Sequence, residues 1–74
     1  MNYDCLLDTS NLRCPEPILK ARQQLRKMQT GQVLKVIATD PLAEQDFAIF
    51  CKSKAYDLLS IERETSQLTF YIQC

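Results

Sequence analysis

The fold is decided by residues 15–39, PEPILKARQQLRKMQTGQVLKVIAT, which predict a helix followed at once by a buried strand. Within residues 15–30 the apolar side chains recur at spacings of three and four, the period of an amphipathic helix. These side chains are Ile18, Ala21, Leu25 and Met28. Gly31 is expected as the C-cap of this helix. Residues 32–39 are almost continuously apolar and rich in β-branched side chains, which favours a central strand.

The flanking segments extend this unit in both directions. Residues 3–8 predict a short first strand, and residues 56–63 and 68–73 predict two further strands joined by a polar turn. Before those two strands, Asp40 is expected as the N-cap of a second helix, with Pro41 at its first position. The apolar stripe of that helix consists of Ala43, Phe47, Phe50 and Cys51.

This βαβαββ order predicts an α/β (α+β) two-layer sandwich. Right-handed crossovers would place both helices on one face of a four-stranded mixed sheet. With 74 residues, of which 46% are hydrophobic, the chain is expected to form a single domain over residues 1–74. A domain of this size has no room for an enclosed substrate chamber, so any chemistry is expected at its surface.

The charge balance bears on possible partners. Nine basic and nine acidic residues give a net charge of zero, which argues against a general nucleic-acid-binding protein, although such a domain stays a third hypothesis. The first residues lack the cationic segment of a secretory signal, and the longest apolar run, residues 47–51, is far too short to span a membrane. We therefore expect a cytoplasmic monomer without direct membrane or nucleic-acid contacts.

The chain has four cysteines, but their pattern fits neither a disulfide scaffold nor a metal site. Disulfide scaffolds are rich in loops and glycine, whereas this chain has one glycine and periodic apolar segments. There is no Cys-x-x-Cys pair and no histidine, so neither a metal nor a cofactor is expected. Cys5 and Cys51 are predicted to pack in the core, and Cys74 is predicted to be a free surface thiol.

Cys14 is the candidate reactive residue because it lies directly ahead of the first helix. Unpaired N–H groups and the helix dipole favour a thiolate at such a position. Pro15 and Pro17, however, remove two N–H donors, and Glu16 adds a negative charge. The segment is therefore predicted to display the sulfur rigidly rather than to lower its pKa strongly, with Arg13 adding some positive potential.

The missing residue types narrow the chemistry. A cysteine hydrolase or acyl transferase needs a base, usually histidine, and a dithiol enzyme needs a second cysteine at position 17. Neither is present, and a lone thiolate can still exchange sulfur with another thiol. From the residues alone two alternatives stay open. Cys14 is either simply a small residue at a helix start, or part of a redox-sensing or protein-interaction module that catalyses nothing.

Three motifs carry a family resemblance. They are the run LRCPEP at residues 12–17, the segment from Gly31 to the Asp-Pro at 40–41, and Asp46-Phe47 followed by Phe50-Cys51. With these motifs in order, the chain resembles the TusA/SirA family of small sulfur-carrier proteins over nearly its whole length. The resemblance implies a βαβαββ fold, which agrees with the element order predicted above.

The resemblance also implies a function. In this family the cysteine matching Cys14 accepts sulfane sulfur from a cysteine desulfurase or similar donor, holds it as a persulfide, and passes it to an acceptor protein. In TusA proper this relay leads to 2-thiouridine in tRNA, so a sulfurtransferase-type carrier is implied. The motif residues positioning the cysteine would be Arg13, Pro15, Glu16 and Pro17. The residues that match partner-docking positions are Arg22, Arg26 and Asp40.

Overall fold

The computed structural model describes residues 2–74, which form six elements in the predicted order. The strands and helices are β1 (Cys5–Thr9), α1 (Glu16–Lys27), β2 (Val33–Ala38), α2 (Ala43–Lys54), β3 (Asp57–Arg63) and β4 (Leu68–Gln73). The strands form one sheet in the order β1-β2-β4-β3, in which β1 and β2 are parallel and the other neighbours are antiparallel. Both helices pack on the sheet and contact each other. The predicted mixed sheet with two helices is therefore confirmed.

The core lies between the helices and the two central strands. Leu34, Val36 and Ala38 alternate along β2 and are fully buried, as strand periodicity requires for one covered face. Phe47 of α2 stacks on Phe70 of β4 with 4.6 Å between ring centroids. Burial of these side chains is the main source of stability in so small a domain.

Helix α1 is shorter at both ends than its apolar period predicts. It begins at Glu16, with Pro15 as the N-cap, and it ends at Lys27, after which Met28 is already extended. Met28 nevertheless packs against the core, which is why the apolar period continues past the helix. Gly31 is therefore not the C-cap. It adopts a φ of +92° in the turn that leads into β2, a region that favours glycine.

Helix α2 begins two residues later than predicted. The Asp40 side chain accepts a hydrogen bond from the Leu42 N–H at 2.9 Å, and the Ala43 N–H donates to the Asp40 carbonyl at 3.0 Å. These bonds form a turn that contains Pro41, and Leu42 becomes the N-cap without a side-chain cap. Asp40 thus closes the turn before the helix instead of capping the helix itself.

The burial of the three cysteines other than Cys14 agrees with the predictions except at Cys74. Cys51 is buried in the core, and Cys5 is half-buried against it. Cys74 is a free thiol, as predicted, but it is half-buried and packs on the core instead of lying at the surface. Its N–H donates to the Gln32 carbonyl at 3.0 Å, and its carbonyl accepts from the Gly31 N–H at 3.0 Å, so the backbone at residue 74 is held beside β2.

Within residues 2–74, no helix has the length and apolar content needed to cross a bilayer.

Candidate functional site

The candidate site lies at one edge of the sheet, where two loops meet. Because β1 and β2 run parallel, with Thr9 opposite Ala38, the loops that follow both strands emerge at the same edge. Residues 11–14 from the first loop and 39–42 from the second line an open groove of about 570 Å³. Cys14 lies in this groove and is exposed. The groove is therefore accessible to a protein partner as well as to a small reagent.

Two hydrogen bonds join the loops on either side of this groove. The N–H of Asn11, which has a φ of 67°, donates to the Thr39 hydroxyl at 2.8 Å. The N–H of Cys14 donates to the Asp40 carboxylate at 2.5 Å. The loop that bears the sulfur is thus attached to the loop after β2, as well as to its own helix.

The start of α1 offers few free N–H groups to stabilise an anion. Pro15, which follows a cis peptide bond, and Pro17 carry no N–H, and Pro17 is buried. The Glu16 N–H already donates to the Arg13 carbonyl at 2.8 Å, and the Leu19 N–H donates to the Pro15 carbonyl at 3.1 Å. The usual preference of a helix start for a thiolate is therefore largely absent.

The surroundings of Cys14 raise its pKa above the usual thiol value. The largest cause is the nearby Asp46 carboxylate, which favours the protonated form of the thiol. Partial desolvation of the sulfur adds to this, as do the negative charges of Asp46 and Asp40. At neutral pH the thiol of Cys14 is mainly protonated, which is the opposite of a thiol activated by a helix dipole.

Asp40 is held in its charged form. The N–H groups of Leu42 and Cys14 lower the pKa of this carboxyl, and the positive charge of Arg13 acts in the same direction. The Asp40 side chain consequently presents a carboxylate beside the sulfur at neutral pH.

The influence of these carboxylates on Cys14 is not apparent from the sequence. The sequence predicts capping and docking roles for Asp40 and places Asp46 only in a motif, yet both raise the pKa of the thiol. The signal that would have found Asp40 is the βαβ order itself, because parallel neighbouring strands place their following loops together. Asp46 follows six residues after Asp40, in the first turn of α2.

Arg22 and Arg26 lie on α1 away from the groove. Arg22 is half-buried and Arg26 is exposed, and neither forms an ion pair with any residue in 2–74. Lys20 and Lys27 join them, so this helix carries four basic residues against the single acid Glu16. Because the chain as a whole is neutral, the surface of α1 is its basic side.

Metal ligands are not grouped in the part of the chain that the structure describes: no three Cys, Asp or Glu side chains in residues 2–74 lie close enough to hold an ion.

Known proteins are similar to this chain in both sequence and fold. The family model described as Sulfurtransferase TusA matches residues 6–74. A sulfur carrier protein TusA from Allochromatium vinosum is 43% identical over 72 residues, covering 97% of this chain and 95% of the relative. A protein of the same name from Pseudomonas entomophila is 37% identical over 71 residues, covering 96% of this chain and 89% of the relative.

Among solved structures, a SirA-like protein from Desulfitobacterium hafniense has the same fold. Its crystal structure superposes with a TM-score of 0.84 at 18% identity and covers 96% of this chain and 97% of that chain. The sequence matches extend over almost the entire chain and include the Cys14 motif. The chain therefore belongs to the TusA family of sulfur carrier proteins.

Proposed function

We propose that this protein is a sulfurtransferase-type carrier that holds sulfane sulfur as a persulfide on Cys14. The observation that carries the proposal is exposure: among the four cysteines, Cys14 alone is exposed, and it lines an open groove. Cys51 is buried, and burial raises its pKa to about 11, so its thiol is inert at neutral pH. Cys5 and Cys74 are half-buried against the core. Sulfur exchange with a second protein needs the accessible thiol.

The proposed loading step transfers one neutral sulfur atom without net oxidation. The Cys14 sulfur, as thiolate, attacks the outer sulfur of a donor persulfide, R–S–SH. The new S–S bond forms on Cys14 while the donor's S–S bond breaks. The donor leaves as a thiolate and receives the proton that Cys14 lost, so the products are R–SH and Cys14–S–SH. Delivery to an acceptor thiol repeats the same exchange in the opposite sense.

A carrier needs surfaces that a donor and an acceptor recognise. We assign docking to the basic side of α1, where Arg22 and Arg26 lie four residues apart, and to Asp40 beside the groove. The donor is proposed to be a cysteine desulfurase or similar protein that forms a persulfide, and the acceptor a second protein thiol. A route toward tRNA 2-thiolation, the cytoplasmic location and the monomeric state stay predictions.

The residues on either side of Cys14 are proposed to position its sulfur. Pro15 and Pro17 limit the backbone at the start of α1, and the Arg13 carbonyl accepts the Glu16 N–H. This turn keeps Cys14 outside the helix and at the surface.

The test is direct loading followed by intact-mass measurement. The purified chain is incubated with a cysteine desulfurase and L-cysteine, then measured without reductant. We expect a gain of one sulfur atom in the wild type and in Cys51→Ala, and none in Cys14→Ser. If the wild type gains nothing, or if Cys14→Ser gains as much, the carrier role of Cys14 is wrong and a redox-sensing or interaction role becomes the better account.

A further inference from the structure

The Asp40 carboxylate bridges two backbone N–H groups from different loops. One oxygen, Oδ2, accepts the N–H of Cys14 at 2.5 Å, and the other, Oδ1, accepts the N–H of Leu42 at 2.9 Å. Cys14 and Asp40 are separated by 26 residues in sequence, so this contact depends on the packing of β1 beside β2. A single side chain thereby connects the residue that bears the sulfur to the turn that begins α2.

The bridge requires an ionised carboxylate. Only a carboxylate offers an acceptor oxygen at both ends, whereas an asparagine amide has one acceptor and one donor group, and the donor would face an N–H. Both N–H donors lower the pKa of Asp40, and Arg13 adds a favourable charge, so the ionised form is the stable one at neutral pH. Hydrogen bonds to charged acceptors are also stronger than neutral ones.

We propose that Asp40 is a positioning residue for Cys14: its carboxylate bridge fixes the backbone of Cys14 and thereby the place of the sulfur over the groove. The inference rests on the proposed function of Cys14 and gives Asp40 a role beyond docking. Two hydrogen bonds direct its oxygens toward the protein's own backbone, so removing them alters the sulfur site even when no partner is present. Sulfur exchange needs the attacking sulfur, the sulfane sulfur and the leaving sulfur in line, so a displaced Cys14 reacts more slowly.

Three kinds of measurement separate positioning from docking. Hydrogen exchange of the Cys14 N–H, followed by NMR, reports the bridge itself. The pH profile of alkylation by iodoacetamide reports the pKa of the thiol without a partner, and the loading assay reports the function. The charged groups that raise the pKa of this thiol are Asp46 on α2 and Asp40 on the loop after β2, and Arg13 and Glu16 are its charged neighbours in the sequence.

The variants are Asp40→Asn, which removes the charge and one acceptor, and Asp40→Glu, which keeps the charge but lengthens the side chain. Asp8→Asn is the matched control, because Asp8 also accepts a loop N–H, from Ser10 at 2.9 Å, without contacting Cys14. Core amides in the same exchange experiment show whether each variant is folded.

We expect exchange of the Cys14 N–H to become at least about tenfold faster in both Asp40 variants, since each loses the bridge geometry. The pKa of Cys14 should fall in Asp40→Asn, because a nearby negative charge is removed, and change less in Asp40→Glu. Loading should slow by about tenfold in both variants, as expected when a reacting atom is displaced. Asp8→Asn should leave all three measurements unchanged.

The proposal is overturned if Cys14 exchange and the alkylation profile stay as in the wild type while loading falls in the Asp40 variants, since Asp40 would then act only in docking. It is also overturned if Asp8→Asn has the same effects as Asp40→Asn. Failure of the wild type to load sulfur on Cys14 would instead refute the proposed function, and the exchange measurement would still decide whether Asp40 holds the loop.

Discussion

Replacing Cys51 by alanine tests whether this cysteine has a packing role alone. Its side chain is 2% exposed and belongs to the core, so the substitution removes one buried sulfur atom and leaves a small cavity. We expect the free energy of unfolding at pH 7 to fall by about 1 kcal/mol, slightly more than one buried methylene is worth. In a domain of this size that loss lowers the melting temperature by about 4–8 °C. Sulfur loading on Cys14 should remain intact.

The effect of Cys51→Ala on the free energy of unfolding should depend on pH, and the sign of this dependence follows from the pKa of the Cys51 thiol. Burial, with a smaller contribution from the negative charge of Asp57, raises the pKa of Cys51 from 9.0 to about 11. A raised pKa in the folded state means that the contribution of the thiol is fully present below pH 9.0 and is lost as the pH rises toward 11. From these two values the wild type loses about 1 kcal/mol through Cys51 as the pH rises from about 9 to about 10.

The Cys51→Ala variant has no thiol to ionise at this position, so its stability does not change in this way. The difference in free energy of unfolding between the wild type and the variant should therefore shrink with rising pH. It should vanish near about pH 10, and at higher pH the alanine variant should be the more stable protein. Urea unfolding followed by circular dichroism with a thiol-free reductant measures the difference at each pH. If the difference in free energy of unfolding between the two proteins stays constant from pH 7 to about pH 10.5, the pKa of Cys51 is not raised by burial and this reasoning is refuted. Loss of loading with unchanged stability would refute the packing role.

Three further predictions concern the site, the docking surface and a backbone strain. Asp46→Asn should lower the pKa of Cys14 and speed alkylation by iodoacetamide at pH 7.5, because it removes the main group that favours the protonated thiol; an unchanged pH profile would contradict this. Reversing the charges of Arg22 and Arg26 to glutamate should slow loading at low salt and reduce its salt dependence, whereas reversing the two lysines in the last turn of α2 should not. Ala55→Gly should raise the free energy of unfolding by up to about 1 kcal/mol in urea titrations, because Ala55 has the left-handed φ of 60° that glycine adopts without strain; a loss of stability would count against this reasoning.

The element order could be predicted from the sequence because each segment has a local apolar pattern and composition typical of its helix or strand. The structure has both the helix predicted at 15–30 and the strand predicted at 32–39, and only their ends differ from the prediction. Helix ends depend on local hydrogen bonds, which the spacing of apolar residues does not reveal. Met28 illustrates this, since it keeps its place in the apolar stripe although the backbone has already left the helix.

The chemistry around Cys14 was harder to predict because it depends on contacts between distant segments. The two prolines favour a helix start that does not strongly activate the thiol, and the pKa of Cys14 is raised, although Glu16 is not among the groups that raise it. The carboxylates that raise its pKa, Asp40 and Asp46, come from the far side of β2 and become neighbours only in the folded chain. The half-buried position of Cys74 likewise depends on hydrogen bonds of its backbone to Gln32 and Gly31, which no local pattern reveals.

The raised pKa of Cys14 has a consequence for the empty carrier between deliveries. Hydrogen peroxide attacks thiolates and not protonated thiols, and further oxidation beyond sulfenic acid is irreversible for most proteins. A thiol held protonated by Asp46 is therefore oxidised slowly, even though it is exposed. We expect peroxide to consume Cys14 more slowly in the wild type than in Asp46→Asn, and equal rates would rule this protection out. Under the proposed carrier role of Cys14, its acidic neighbours would thus preserve the one exposed thiol among the four cysteines for its next load, at the expense of its resting reactivity.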